Sequence, residues 1–260
     1  MGELLDRLER TVKGTVQPMG FGIGAKREKI APILLLGTVA AGNDAQVKLV
    51  GEAELDGAIV LGRESAKKTD IDKTVKALKK SVVGLWRDKA PAEELAGTDF
   101  QVFSSVDTPM GALGGDERTN VMQIEPELDD SLLRTIDYLP VDAFLVSLTD
   151  TTSLTLSQLM RLARVRGVTS RWIFVHLAVL PSKAELEELR ELGVSAIVVD
   201  LASHDAAALK ECREAMLELP HVPPDRKKSH NVATLPSVGL SRTARPSEPE
   251  PDEDDDWDDD

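Results

Sequence analysis

Eight short apolar runs recur along the chain: Ile33–Val39, Gly57–Gly62, Val82–Trp86, Phe100–Ser105, Val121–Glu125, Ala143–Leu148, Trp172–Leu177 and Ala196–Leu201. They are rich in Val, Ile and Leu along most of their length rather than alternating with polar residues. That is the pattern of strands covered on both faces. Helical spacing fills the intervals. Ile71, Val75 and Leu78 fall on one face of a helix over Ile71–Lys80, with Thr69 or Asp70 as its cap. Asn43 or Asp44 caps another that runs to Val50. Further helices are expected over Ala92–Ala96, Asp129–Tyr138, Ser157–Val165, Lys183–Leu192 and Asp205–Leu217. Ahead of the first strand, Leu4, Leu5, Leu8 and Val12 make Gly2–Gly14 an amphipathic helix that either plugs the bottom of the domain or meets a partner.

Strands alternating with helices predict parallel neighbours, because a parallel pair needs a crossover connection. Over residues 30–220 this rhythm resembles the (β/α)8 TIM-type barrel superfold, which closes at eight strands. An open doubly wound sheet is the rival arrangement. The expected fold class is α/β, a parallel barrel over 30–220 behind a helix and glycine-rich lead-in over 1–29. Within that lead-in, Gly20-Phe-Gly-Ile-Gly24 has the look of a phosphate-cradling loop. It is followed by Lys26-Arg-Glu-Lys29 and Pro32 rather than by a helix, so it reads as the approach to the first strand. Two segments, LVGEAELDGAIVLG ending at Gly62 and LEELRELGVSAIVVD ending at Asp200, share an order of helix, acidic turn, Gly and β-branched strand. Shared physics is enough to produce that likeness.

Composition narrows the classes. A hydrophobic fraction of 42% supports a substantial core, and 3% aromatics make that core aliphatic. The net charge of −14 and pI near 4.8 argue against nucleic acid and against an anionic membrane surface as partners. Cys212 is the single cysteine, so neither an internal disulfide nor a cysteine zinc cluster is expected. No apolar stretch is long enough to span a membrane, and the expected setting is a reducing cytoplasm. From His221 the chain turns to Pro, Ser and charge, which predicts a disordered tail over 221–260. The tail ends in an acidic block around Trp257. It reads either as a solvating segment or as a docking peptide for a protein partner with a basic, apolar groove.

Candidate chemistry lies where polar residues interrupt the apolar runs. The helix-facing side of each strand must be apolar, so these side chains are expected to face the barrel axis or its mouth. They are Thr38, Glu64, Trp86, Ser105, Asp107, Gln123, Glu125, Ser147, Thr149, His176 and Asp200, with Arg63, Arg87, Asp88 and Asp150 in adjoining loops. Asp200 and Glu125 suit an acid, a base or a metal ligand, and His176 suits a proton shuttle. Arg63 or Arg87 would clamp an anion, while Ser147, Thr149 and Ser203 would hydrogen-bond a ligand. Each has a plainer reading. His176 continues the period-two pattern of Trp172 and Phe174 as a core histidine, Asp200 caps the next turn with Ser203, and Glu125 before Pro126 is a solvated rim residue. Glu125, His176 and Asp200 together would suit magnesium or manganese better than zinc. A Ser147–His176–Asp200 triad is disfavoured, because residues of one barrel layer come from alternate strands and no G-x-S-x-G turn is present.

Absences narrow the chemistry further. No inward lysine supports Schiff-base chemistry or lysine-bound pyridoxal phosphate, and the cofactor is left unknown. The loops AVLPSK and ASHDA after the last two strands lack the glycines of a barrel phosphate site, although Ser182 and Ser203 at helix N-termini could still hold an anion, so a flavin or sugar-phosphate ligand stays open but unsupported. The function expected is a soluble barrel binding a small polar or anionic molecule at its strand ends, with acid–base or metal-assisted chemistry. The alternative is a non-catalytic scaffold or assembly subunit docked through the acidic tail.

Overall fold

A computed structural model describes residues 2–14, 29–62, 66–88, 94–104, 107–113, 118–125, 128–136, 138–149 and 153–221. The glycine-rich lead-in, Arg63, Glu64, Ser105, Asp150 and the tail with Trp257 lie outside the described residues. The strands are β1 Leu34–Ala40, β2 Gly57–Leu61, β3 Val82–Trp86, β4 Phe100–Phe103, β5 Thr119–Ile124, β6 Ala143–Leu148, β7 Trp172–Leu177 and β8 Val194–Asp200. They pair in chain order, all parallel, into a closed barrel. The closing seam runs from Leu34 against Ala196 to Thr38 against Asp200. Closure excludes the open-sheet arrangement.

The helices are α1 Glu3–Lys13, α2 Asp44–Glu52, α3 Lys68–Ala77, α4 Asp130–Ile136, α5 Leu156–Val168, α6 Lys183–Glu191 and α7 Ala206–Glu218. Asn43 caps α2 by accepting from the Ala45 and Gln46 N–H groups. Thr155 with Gln158 and Ser182 with Glu185 form reciprocal capping boxes on α5 and α6. Helix α3 starts one turn earlier than its apolar stripe suggests. It has no side-chain cap, and Thr69 and Asp70 sit inside its first turn. The brief helix expected over Ala92–Ala96 is replaced, in its described part, by a turn in which Gly97 adopts φ 85. Between β4 and β5 a 3-10 turn, Met110–Ala112, takes the place of a crossover helix among the described residues. This side of the barrel is sealed by polar contacts. The Gln101 amide donates to Asn120 Oδ1 at 2.6 Å and to the Ala112 carbonyl at 3.0 Å.

Strand alternation divides the apolar residues into two cores. One lies between the barrel wall and the helices, where Leu35, Val60 and Val175 meet Leu162, Leu189 and Leu209. The other fills the barrel itself with Leu36, Ile59, Val102, Val121, Leu145, Phe174 and Val198. The Phe100 ring lies over Gly84, where any Cβ would collide with it. Leu4 and Leu8 of α1 are fully buried in this inner core. Helix α1 therefore closes the N-terminal end of the barrel, which decides between the plug and the partner contact in favour of the plug. Arg7 ties it down by donating to the Asp56 carbonyl at 2.7 Å. His221, just past α7, places its two ring nitrogens 2.9 Å from the carbonyls of Thr11 and Ile30, joining three distant segments. No helix among the described residues is long and apolar enough to cross a membrane.

One joint repeats at that closed end. Asp56, Asp99 and Asp142, equally spaced along the chain, each precede an even-numbered strand. Their carboxylates accept from the backbone N–H of Leu35, Val83 and Asn120 at 2.9, 2.8 and 2.8 Å. Their own N–H groups donate to the carbonyls of those same residues. Each aspartate thus extends the ladder between two strands by one step beyond their ends. On β8 the corresponding place is taken by Ser195, whose hydroxyl donates to the nearby Gly193 carbonyl at 3.5 Å.

Burial raises the Asp99 carboxyl above the ordinary carboxylate range, outweighing the Val83 N–H that lowers it. A raised folded-state value favours the protonated form in the fold. The stability from this group is therefore full below the unfolded value and falls as pH rises through the folded one. Asp99→Asn keeps an acceptor for Val83 and should flatten that part of the stability–pH curve in urea titrations. Asp99→Ala should cost about 1–3 kcal/mol at neutral pH by leaving the Val83 N–H without its side-chain acceptor.

Candidate functional site

At the open, C-terminal end of the barrel the inner core gives way to three pairs of polar or aromatic side chains. The seam between β1 and β8 brings Thr38 beside Asp200, and the Thr38 hydroxyl donates to Asp200 Oδ1 at 3.3 Å. On β5 and β6 the Gln123 amide donates to the Ser147 hydroxyl at 3.0 Å. Trp86 from β3 and His176 from β7 meet across the barrel, their ring centroids 5.6 Å apart and their planes at 68°. Such edge-to-face contact is the preferred aromatic arrangement. These positions lie one alternation above Leu36, Gly84, Val121, Leu145, Phe174 and Val198. The mouth is thus the top layer of the inner core with its chemistry changed.

Trp86, Gln123, Ser147, His176 and Asp200 are all half-buried, whereas Thr38 is buried. Burial pulls the His176 imidazole below its ordinary value, and the Asp200 carboxylate pulls it partly back. The ring is therefore neutral at neutral pH and within reach of the Asp200 field. Neither His176 nitrogen has a hydrogen-bond partner among the described residues. Half-buried imidazoles held by the fold alone normally donate to a carbonyl or carboxylate. Asp200 also accepts from the Ala202 N–H at 3.0 Å, which fixes the carboxylate at the turn leaving β8.

The remaining candidates are placed apart. Glu125, Thr149 and Ser203 are exposed, just past the ends of their strands. Ser203 reaches Asp200 through its backbone N–H, which donates to the Asp200 carbonyl at 3.1 Å. Arg87 is paired with Glu94 at 2.6 Å. Asp88 holds the Ser104 hydroxyl and N–H, and Asp107 is exposed. Arg63 lies outside the described residues. Among the described residues no three of His, Cys, Asp and Glu gather closely enough to hold a metal ion, so Glu125 does not join His176 and Asp200 in one ligand set. Burial lifts the Cys212 thiol to about 11, which keeps it protonated and unreactive.

A separate cleft of about 80 Å³ lies beside the ends of β6 and β7, between Leu148, Leu154, Gln158, Leu177, Leu180 and Glu185. Leu148 and Leu177 belong to the outer core, so this cleft is outside the barrel wall and distinct from the His176 mouth. Its polar groups are engaged. Glu185 accepts from the Leu154 N–H and from Ser182, and Gln158 accepts from the Thr155 N–H.

Thr38, Trp86 and Gln123 are readable in the sequence as inward-facing residues, but their pairings are not. The contact of Trp86 with His176 joins strands far apart in the chain. The Thr38–Asp200 bond exists only because the first and last strands meet.

Comparison with solved structures returns the same fold from unrelated sequences. The chain superposes on (S)-3-O-geranylgeranylglyceryl phosphate synthase from Thermoplasma acidophilum, solved with its substrate sn-glycerol-1-phosphate, with a TM-score of 0.58 at 14% identity. That match covers 84% of this chain and 100% of the other. It superposes on a mutant tryptophan synthase alpha-subunit from Pyrococcus furiosus with a TM-score of 0.56 at 15% identity, over 72% of this chain and 97% of the other. A tryptophan synthase from M. tuberculosis gives 0.55 at 14% identity, over 71% and 91%. At such identities the likeness establishes the barrel fold alone. No protein-family model matches the chain, and no curated protein matches its sequence.

The mouth's electrostatics have a direct readout. An NMR titration should place the His176 midpoint below the ordinary imidazole value of about 6.5. Asp200→Asn should move it lower still, since the carboxylate is the one influence raising it. A depressed imidazole disfavours the charged ring in the fold. Its contribution to stability is therefore full above about pH 6.5 and is lost as pH falls through the folded value. An unchanged or higher midpoint in Asp200→Asn would show that the two groups do not share one mouth.

Proposed function

We propose that the barrel binds a small polar molecule at the C-terminal ends of its strands and that His176 moves a proton on it. The observation that carries this reading is the state of His176: half-buried, neutral, beside a carboxylate, and without a hydrogen-bond partner among the described residues. A neutral imidazole with a free lone pair is a base at physiological pH. Asp200 would stabilise the imidazolium formed when it takes a proton. Ser147, on the strand next to that of His176, and Gln123, which donates to it, would orient the ligand, and Trp86 would form its floor. The fold agrees, because barrel activities sit at this end. The neighbour that carries sn-glycerol-1-phosphate is a barrel of the same fold with a small polar substrate.

Thermal shift with a panel of polar metabolites and divalent cations tests the reading. A true ligand at a hundredfold excess over its Kd should stabilise the wild type by about 2.7 kcal/mol. That gain should shrink in His176→Gln. If no member shifts the wild type, and Asp200→Ala is as stable as the wild type, there is no site at the mouth.

A second reading, a barrel serving as an assembly subunit, draws on a different surface. Tyr138, Leu156 and Met160 are large, apolar and exposed on or beside the neighbouring helices α4 and α5. Exposed apolar groups gathered in one region mark contact surfaces. In this reading the acidic segment around Trp257 docks a protein partner. Pull-downs with the full chain and with a chain ending at residue 246 should differ in the partners recovered, and equal recovery would remove the segment's role.

A further inference from the structure

One face of α5 is apolar, exposed and edged with positive charge. The helix buries Leu162 and Val165 in the outer core. Leu156, Met160, Ala163 and Gly167 recur at helical spacing on the opposite side, and all four are exposed. Leu156 and Met160 keep 74% and 65% of their surface in solvent. A Cβ at Gly167 would meet nothing within 4 Å, so another chain has room to come close there. Arg164 and Arg166 stand on either side of this stripe. Arg164 reaches toward α4 and pairs with Asp130 at 2.7 Å. The Arg166 guanidinium passes close to Gly193, beyond the end of α6. No described carboxylate pairs with Arg166.

The charge here runs against the rest of the chain. From residue 151 to residue 184 there is no Asp or Glu, while Arg161, Arg164, Arg166, Arg171 and Lys183 are present. The whole chain has a net charge of −14. Two α5 faces laid together would set these arginines against one another, so a symmetric dimer through this helix is disfavoured. What fits is a negative segment with one large apolar side chain to cover Leu156 and Met160. The sequence contains such a segment. Ten of the thirteen residues from Glu248 to Asp260 are acidic, and Trp257 is the one large apolar residue among them. Helix α5 is about 20 Å long, a length that about six extended residues cover, so carboxylates beside an indole on Met160 reach the arginines.

We infer that this face of α5 docks residues 248–260 of a second copy of the chain, the Trp257 indole against Leu156 and Met160 and the carboxylates beside it against Arg164 and Arg166. This rests on the assembly-subunit reading and names the surface that the acidic segment meets. The contact joins two unlike surfaces, so association grows with concentration instead of stopping at a symmetric pair. Exposed ion pairs contribute little singly. The indole therefore supplies most of the hold, and the carboxylates supply selectivity and salt dependence.

The test uses the full chain, a synthetic peptide of residues 247–260 as probe, and methyl-labelled methionine followed by NMR. Added peptide should shift the Met160 methyl resonance, and salt should weaken the effect. A peptide carrying Trp257→Ala should bind about tenfold or more weakly. In sedimentation the mass of the full chain should rise with concentration, and excess peptide should reverse the rise. Met160→Glu should abolish both effects, with an unchanged amide spectrum away from α5 as the check on its fold. If that variant does not fold, the peptide titrations on the wild type still decide. An unmoved Met160 methyl, or a Trp257→Ala peptide that binds as tightly as the native one, overturns the docking on α5. A mass that stays constant with concentration overturns the second copy as the source of the segment. If Met160 never moves but the mass still rises or the pull-downs still differ, the assembly reading survives on another surface. If those are unchanged as well, both fail.

Discussion

Everything in this protein depends on the meeting of its first and last strands. Seven parallel pairings follow from chain order, each helped by a short connection, but β1 against β8 joins residues more than half the chain apart. That seam holds because both of its faces are apolar. Leu35, Val39, Ile197 and Val199 face the helices, while Leu34, Leu36, Ala196 and Val198 face the axis. An open edge there would expose two strands and unpair their backbone groups. The seam also sets the Asp200 carboxylate beside the Thr38 hydroxyl at the rim.

Much of the architecture is legible in the order of residues, because a strand buried on both faces has few ways to be written. All eight apolar runs become strands, and the boundaries move by a few residues at most. The errors fall where local rules are weakest. Ala92–Ala96 contains good helix formers, yet Gly97 turns the chain at φ 85 before another turn can be added. At α3, capping logic expects Thr69 or Asp70 outside the helix, but packing of Ile71 and Val75 against the wall carries the helix back to Lys68. Gln101 and Asn120 interrupt strands β4 and β5 on the helix-facing side, against the rule that this side is apolar. With no crossover helix there, their amides seal the wall instead.

The site is legible to a lesser degree, and the reason is geometric. Period-two alternation places Ser147, His176 and Asp200 on the inner face, and it does so correctly. It continues the same logic to Glu125 and Thr149, which stand one step beyond the last ladder bond, where the chain is leaving the sheet and solvent is the better partner. Alternation also has nothing to say about contacts across the barrel. The Trp86–His176 pair depends on the width of an eight-stranded cylinder, and an aromatic and an imidazole are long enough to bridge it where Leu145 and Val198 below them are not. The burial that this bridge brings is what leaves the imidazole uncharged.

The stopper formed by Leu4 and Leu8 has a kinetic meaning. A cylinder sealed at its base and packed solid through its middle has no passage from one end to the other. Under the proposed reading, a molecule that entered over Trp86 would have to leave by the same route, and each new one would wait for the last to go.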